Sequence, residues 1–126
     1  MRLLADTHVL VWAFTDPDAL SRRARSLLED LANEVWFSAV SAYEIEFKRP
    51  LDPLLGALPL ELEAAVVAEG FGWRPIAVAD AVVAARLPRH HRDPWDRILA
   101  AQAMREGVPV ISRDAKLADF GVSLIW

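Results

Sequence analysis

The sequence predicts a three-layer α/β/α fold: a central, mainly parallel sheet of four to five strands with helices on both faces. Two observations carry that expectation. Short strand-like apolar segments alternate with helical patterns from end to end, the order that buries a parallel sheet between helices. The chain also has 126 residues, is 54% hydrophobic, and contains no internal repeat, low-complexity tract or linker, so residues 1–126 are expected to share one core as one domain.

Leu3-Leu4-Ala5 is a short apolar run ending at Asp6-Thr7, which reads as a buried strand followed by a turn. Val9 to Phe14 has the composition of either a strand or a helix; we take it as a helix capped by Asp6 or Thr7 and ended by Asp16-Pro17. From Leu20 the helical spacing is plain. Leu20, Ala24, Leu27, Leu28 and Leu31 share one face, while Arg22, Arg25, Glu29 and Asp30 point away. Glu34 to Phe37 is strand-like, and Ser38 or Ser41 can cap the helix that carries Glu44 and Phe47 as far as Pro50. Leu51 to Leu58 reads as a connection. Pro59 to Glu69 starts with proline and ends at Gly70, the asymmetry expected of a helix. Phe71 to Val78 is the third strand, and Asp80 to Leu87 a short helix stopped by Pro88. Asp93-Pro94 opens a long helix that Gly107 closes after Glu106. Val108 to Ser112 forms the fourth strand, and Val122 to Trp126 is apolar enough for a fifth.

Composition narrows the function. Mean hydropathy is +0.20, yet no apolar run approaches the roughly 18 residues of a membrane helix. Arg2 and Asp6 frame too short a stretch for a signal peptide, so a cytoplasmic location is expected. No cysteine is present, which excludes disulfides and thiolate metal sites. A net charge of −4 argues against holding nucleic acid by charge alone. The basic residues are nonetheless grouped at Arg22 to Arg25, Lys48-Arg49, and Arg86 to Arg92 with His90 and His91. A basic rim around an acidic pocket reconciles the two facts; solvated helix faces are the plainer account of any single cluster.

The acids fall where such a sheet works, beyond the carboxyl ends of its strands. Asp6 ends the first strand, Glu44 lies early in the helix after the second, Asp93 and Asp96 open the long helix, and Asp114 follows the fourth strand. Crowded carboxylates raise one another's pKa, and a divalent cation removes that penalty; hard oxygen donors suit Mg²⁺ or Mn²⁺. Each acid also has an ordinary explanation. Asp6 and Asp93 are natural N-caps, Ser41-Ala42-Tyr43-Glu44 fits a capping box, Asp96 suits a helix dipole, and Asp114 can start a turn.

The segments Leu3 to Trp12, Ser41 to Lys48, His91 to Ala103 and Val110 to Asp114, with the tail from Gly121 to Trp126, resemble in order the motifs of the PIN-domain family, specifically its VapC-type toxins. The resemblance implies a PIN-like fold and a metal-dependent ribonuclease that hydrolyses RNA phosphodiester bonds as the toxin of a toxin–antitoxin pair. It carries metal binding and catalysis onto Asp6, Glu44, Asp96 and Asp114. Asp93, Ser112 and Thr7 are then supports that orient a ligand or a water, and Lys48, Arg92, Arg97 and Arg113 are candidate RNA contacts. It further implies Mg²⁺ (or Mn²⁺) as cofactor, an antitoxin that covers the acidic pocket, and a homodimer, with which the apolar surplus is consistent. No histidine is required: His8 reads as a packing or turn residue and His90-His91 as a solvated or RNA-facing pair. Trp12, Trp36, Trp73, Trp95 and Trp126 read mostly as core or interface. Two alternatives remain. One is a catalytically inactive module that binds RNA or protein. The other is an aspartyl phosphotransferase or phosphatase built on Asp6, although the second Asp expected two residues on is replaced by His8.

Overall fold

The computed structural model describes all residues, 1–126. Five parallel strands form the sheet: β1 (Arg2–Ala5), β2 (Glu34–Ser38), β3 (Gly72–Arg74), β4 (Val110–Ile111) and β5 (Leu124–Ile125), in the order β3-β2-β1-β4-β5. Seven α-helices surround it: α1 (Thr7–Thr15), α2 (Arg22–Glu29), α3 (Ala39–Lys48), α4 (Pro53–Gly56), α5 (Leu62–Ala68), α6 (Val78–Arg86) and α7 (Pro94–Glu106).

The two-residue period of the strands divides the core in two. Leu3 and Ala5 of β1, Val35 and Phe37 of β2, Ile111 and Ile125 face one side, where Val9 and Leu10 of α1, Ala24 of α2, Ile45 of α3 and Val66 of α5 cover them. Leu4 and Val110 face the other, against Leu99, Ala100 and Ala103 of α7 with Leu117 and Phe120. Burying both faces is what a parallel sheet requires, and it makes the three expected layers.

Local chemistry sets the boundaries. Asp93 caps α7, Pro94 occupies its first position, and Gly107 closes it at φ 65°, a left-handed conformation that suits glycine. Ser21 caps α2, which stops at Glu29, so Leu31 lies beyond the helix and is exposed rather than on its apolar face. β3 is much shorter than Phe71 to Val78 because Pro75 has no N–H to offer a ladder and α6 already begins at Val78. Gly72 is needed for a close approach: a Cβ there would meet Trp36 Cδ1 at 2.5 Å. The helix after Pro59 starts only at Leu62, and the connection from Leu51 contains α4. A 3-10 helix, Ala115–Phe120, follows β4 where the sequence suggested only a turn.

Arg97, on the first turns of α7, has its guanidinium on backbone carbonyls of Ala84, Ala85, Leu87, Pro88 and His91 at 2.7 to 3.4 Å. These fasten the end of α6 and the loop after it to α7. Arg97 is therefore a structural clamp, with Nη1 and Nη2 engaged within the fold rather than free for the RNA contact expected. Lysine offers one compact ammonium in place of a planar fork. Arg97→Lys should lower the unfolding free energy by about 2 kcal/mol, measured by urea denaturation.

Candidate metal centre

The strand order reverses at β1. From β1 the chain steps to β2 and β3 on one side, then crosses to β4 and β5 on the other. A crevice therefore opens beyond the carboxyl ends of β1 and β4, the place where open α/β sheets bind ligands.

Asp6 stands at the end of β1, is buried, and has both oxygens engaged. Oδ1 caps α1 by accepting from the His8 N–H at 2.6 Å, and Oδ2 accepts from the hydroxyl of Ser112. Ser112, itself buried beyond β4, also accepts from the Asp114 N–H at 3.0 Å. One hydroxyl thus ties the end of β1 to the end of β4. Thr7 donates from Oγ1 to Ser41 Oγ at 2.9 Å and joins the start of α1 to α3.

Asp6 and Asp114 line a pocket of about 260 Å³ with His8, Val9, Trp12 and Arg113. Asp96 enters from the first turn of α7, next to Asp93. The Asp93 Oδ1 accepts from the Trp95 and Asp96 N–H groups at 2.9 and 3.4 Å, which makes it the cap the sequence predicts. Asp114 caps the 3-10 helix through the Lys116 N–H at 3.0 Å. Donor atoms of His91, Asp96 and Asp114 lie within 4.8 Å of one another. Burial, then the charges of Asp93 and Asp6, push Asp96 up to about 6 against the hydrogen bond from His91.

Glu44 lies outside that group. α3 begins at Ala39 with Ser38 as its cap, so Ser41 is already inside the helix and the capping-box explanation of Glu44 falls away. Its carboxylate is mostly buried and accepts from Lys48 Nζ at 2.6 Å, while that ammonium sits 4.7 Å from the Trp95 ring centre. Glu44 still acts on the crevice: it joins Asp6 in holding the exposed His8 imidazole above its ordinary pKa, the hydrogen bond to Asp6 being the largest cause.

The histidine pair needs correcting. His90 is half exposed, but His91 is largely buried and contacts Asp96 Oδ2 through Nε2 at 2.9 Å. Sequence reasoning treated the two alike, and only the position of His91 one residue before the Arg92-Asp93-Pro94 cap hinted that it faces the acids. Of the other basic candidates, Arg113 is exposed over the Trp12 ring at 4.8 Å, and Arg92 is exposed beside Arg89 in an open depression. Lys48 is half exposed despite its bond to Glu44.

The donor set fits a divalent cation. It consists of carboxylates, with the His91 imidazole beside them, gathered in a recess that raises the cost of ionising Asp96.

The PIN domain family profile matches residues 3–122, and the chain belongs to that family. No curated protein matches it. Among solved structures it is similar in fold to VapBC2 from Rickettsia felis bound to a promoter DNA fragment, with 13% identity over 99% of this chain and 98% of that one and a TM-score of 0.73. It is also similar to FitAcB from Neisseria gonorrhoeae, with 20% identity over 98% and 96% and a TM-score of 0.72. A toxin–antitoxin complex from Klebsiella pneumoniae shares 19% identity over 98% and 96%, with a TM-score of 0.64.

A raised carboxyl pKa means that the folded state keeps a proton the unfolded chain has released. Stability therefore falls as pH rises from 3.8, the ordinary value, to about 6, and the full penalty persists above that. Without metal, Asp96→Asn should be more stable than the wild type at neutral pH by about 1 kcal/mol, a figure discounted for solvent access to the carboxyl. The advantage should vanish below about pH 4. Thermal melts in chelator across this range test it; a variant less stable at neutral pH would show that Asp96 serves only the helix.

Proposed function

We propose that this chain is a metal-dependent endoribonuclease and the toxin of a toxin–antitoxin pair. The observation that carries the reading is the meeting of Asp6, Asp96 and Asp114 at the crevice between β1 and β4, within a PIN domain, with Glu44 acting on the same recess. In this reading residues 1–126 work as one domain, and the site residues are Asp6, Glu44, Asp96 and Asp114.

One or two Mg²⁺ or Mn²⁺ ions bound there would supply Lewis-acid polarisation of the phosphodiester and activation of the attacking water. The chain's own residues do the rest. Ser112 fixes one oxygen of Asp6 and the backbone of Asp114, so these two acids hold their relative position. Asp93 fixes the turn that presents Asp96. Lys48 holds Glu44, and the exposed guanidinium groups of Arg113 and Arg92 meet the RNA backbone, whose phosphates a net acidic protein must engage locally. Similarity in fold to a toxin–antitoxin complex supports an antitoxin partner; an antitoxin that masks the acids, a cytoplasmic site of action and a homodimer belong to the same proposal. No helix is long and apolar enough to cross a membrane.

Purified protein should cleave RNA in millimolar Mg²⁺ or Mn²⁺ and stop in excess chelator, while cleavage that survives chelation would refute the proposal. Asp96→Asn should lose more than about 100-fold in rate, beyond what removing a mere support for a ligand costs. Asp93→Asn should keep most of the activity, since asparagine caps a helix nearly as well. Gel-resolved cleavage time courses of the two variants make the comparison, and equal losses would overturn the separate roles assigned to these neighbours. Expression of the chain alone should arrest bacterial growth, read as colony counts. Normal growth at high soluble expression would favour an inactive binding module.

A further inference from the structure

The acid set leaves His91 unexplained. This residue sits in the loop ahead of α7 with its side chain only 14% exposed. Its ring stacks on Phe120, with centroids 5.3 Å apart and planes 28° from parallel. Its backbone carbonyl accepts from Arg97 Nη1 at 2.9 Å, so ring and backbone are both held. An imidazole that merely oriented Asp96 from behind would have no reason to approach a second acid. Here a ring nitrogen of His91 lies within 4.8 Å of a carboxylate oxygen of Asp114 as well as of Asp96. Donors bonded to one ion at about 2.0–2.2 Å stand roughly 3 to 4.4 Å apart, so small side-chain rotations would let the three share an ion.

We propose that His91 is a metal ligand alongside Asp96 and Asp114, and that it biases this centre toward a first-row transition ion over Mg²⁺. The proposal rests on the reading of the chain as a metal-dependent nuclease and adds a nitrogen donor to its all-carboxylate set. Mg²⁺ favours oxygen donors and gives up its waters reluctantly, whereas imidazole nitrogen is a good donor to the transition ions. The fixed ring of His91 is pre-oriented for that bond. His8, the other histidine near the acids, is exposed and engaged by Asp6, so it is the natural comparison.

The test uses the full chain, with Mn²⁺ as the probe and Mg²⁺ as its competitor. Pulsed electron paramagnetic resonance of the Mn²⁺ protein, prepared with ¹⁴N- or ¹⁵N-labelled histidine, reports nitrogen bonded to the ion; calorimetry gives the two affinities. The wild type should show a directly bonded histidine nitrogen. His91→Gln should lose that signal and bind Mn²⁺ about tenfold more weakly, with Mg²⁺ affinity nearly unchanged. His8→Gln should keep the signal. Mn²⁺ binding without a nitrogen signal, or a signal that survives His91→Gln, would overturn the role of His91 and leave the metal-dependent reading standing. Failure of both ions to bind the wild type would overturn both. Should His91→Gln not fold, the wild-type and His8→Gln spectra alone decide.

Discussion

The hydroxyl of Ser112 is the contact on which the site depends. β1 and β4 are neighbours in the sheet but far apart in sequence, and their ladder is short: Leu4 pairs with Val110 and Ala5 with Ile111. Past that ladder the chains diverge, β1 into α1 and β4 into the 3-10 helix. Donating to Asp6 and accepting from the Asp114 N–H, Ser112 extends the junction by one step beyond the last paired residues. It is buried with both roles filled, so removing the hydroxyl would leave an acid and an amide without their partner. The acids of two diverging elements are thereby held at a fixed spacing, which loops alone would not provide.

That arrangement has an electrostatic cost. The charges of Asp93 and Asp6 act on Asp96, whose burial already favours the protonated form. The protein offsets the charge only in part. Helix starts receive Asp6 and Asp93 as caps, which places negative charge at the favourable end of α1 and α7. Lys48 neutralises Glu44, and Arg113 borders the pocket of Asp6 and Asp114. Full neutralisation by arginine would make a more stable protein with no room for a cation. A recess left short of positive charge is the arrangement expected of a metal centre, where stability is given up for a function.

The sequence carries this fold where local chemistry is decisive. Asp93, Pro94 and Gly107 mark α7 to the residue, and the apolar runs at Leu3 and Val35 mark the strands that the sheet buries on both faces. It carries less where tertiary contact decides. β4 and β5 are two residues each, because pairing and not apolar character ends them. Ser38 and Ser41 were both possible caps, and only the start of the helix at Ala39, with Ser38 as cap, removes the capping-box alternative for Glu44. The burial of His91 and the clamp made by Arg97 were hard to read for a common reason: they rest on an aromatic ring and on backbone carbonyls, which side-chain patterns announce poorly.

Asp96 and Arg97 are adjacent, and their neighbouring side chains do complementary work on one loop. Asp96 contacts the ring of His91, while Arg97 grips its carbonyl and those of Leu87 and Pro88. The loop between α6 and α7 is therefore positioned by the helix it leads into. The placement of His91 against Asp96 is set by α7 together with the ring of Phe120 from the 3-10 helix. Asp114 is different, since it approaches from β4 through Ser112. The recess is thus assembled from two sides, one on α7 and the other on the β1–β4 junction, and a cation shared by Asp96 and Asp114 would bridge them. Such an ion would do more than neutralise charge: it would stabilise the native arrangement of the two sides, because the unfolded chain does not bring these groups together.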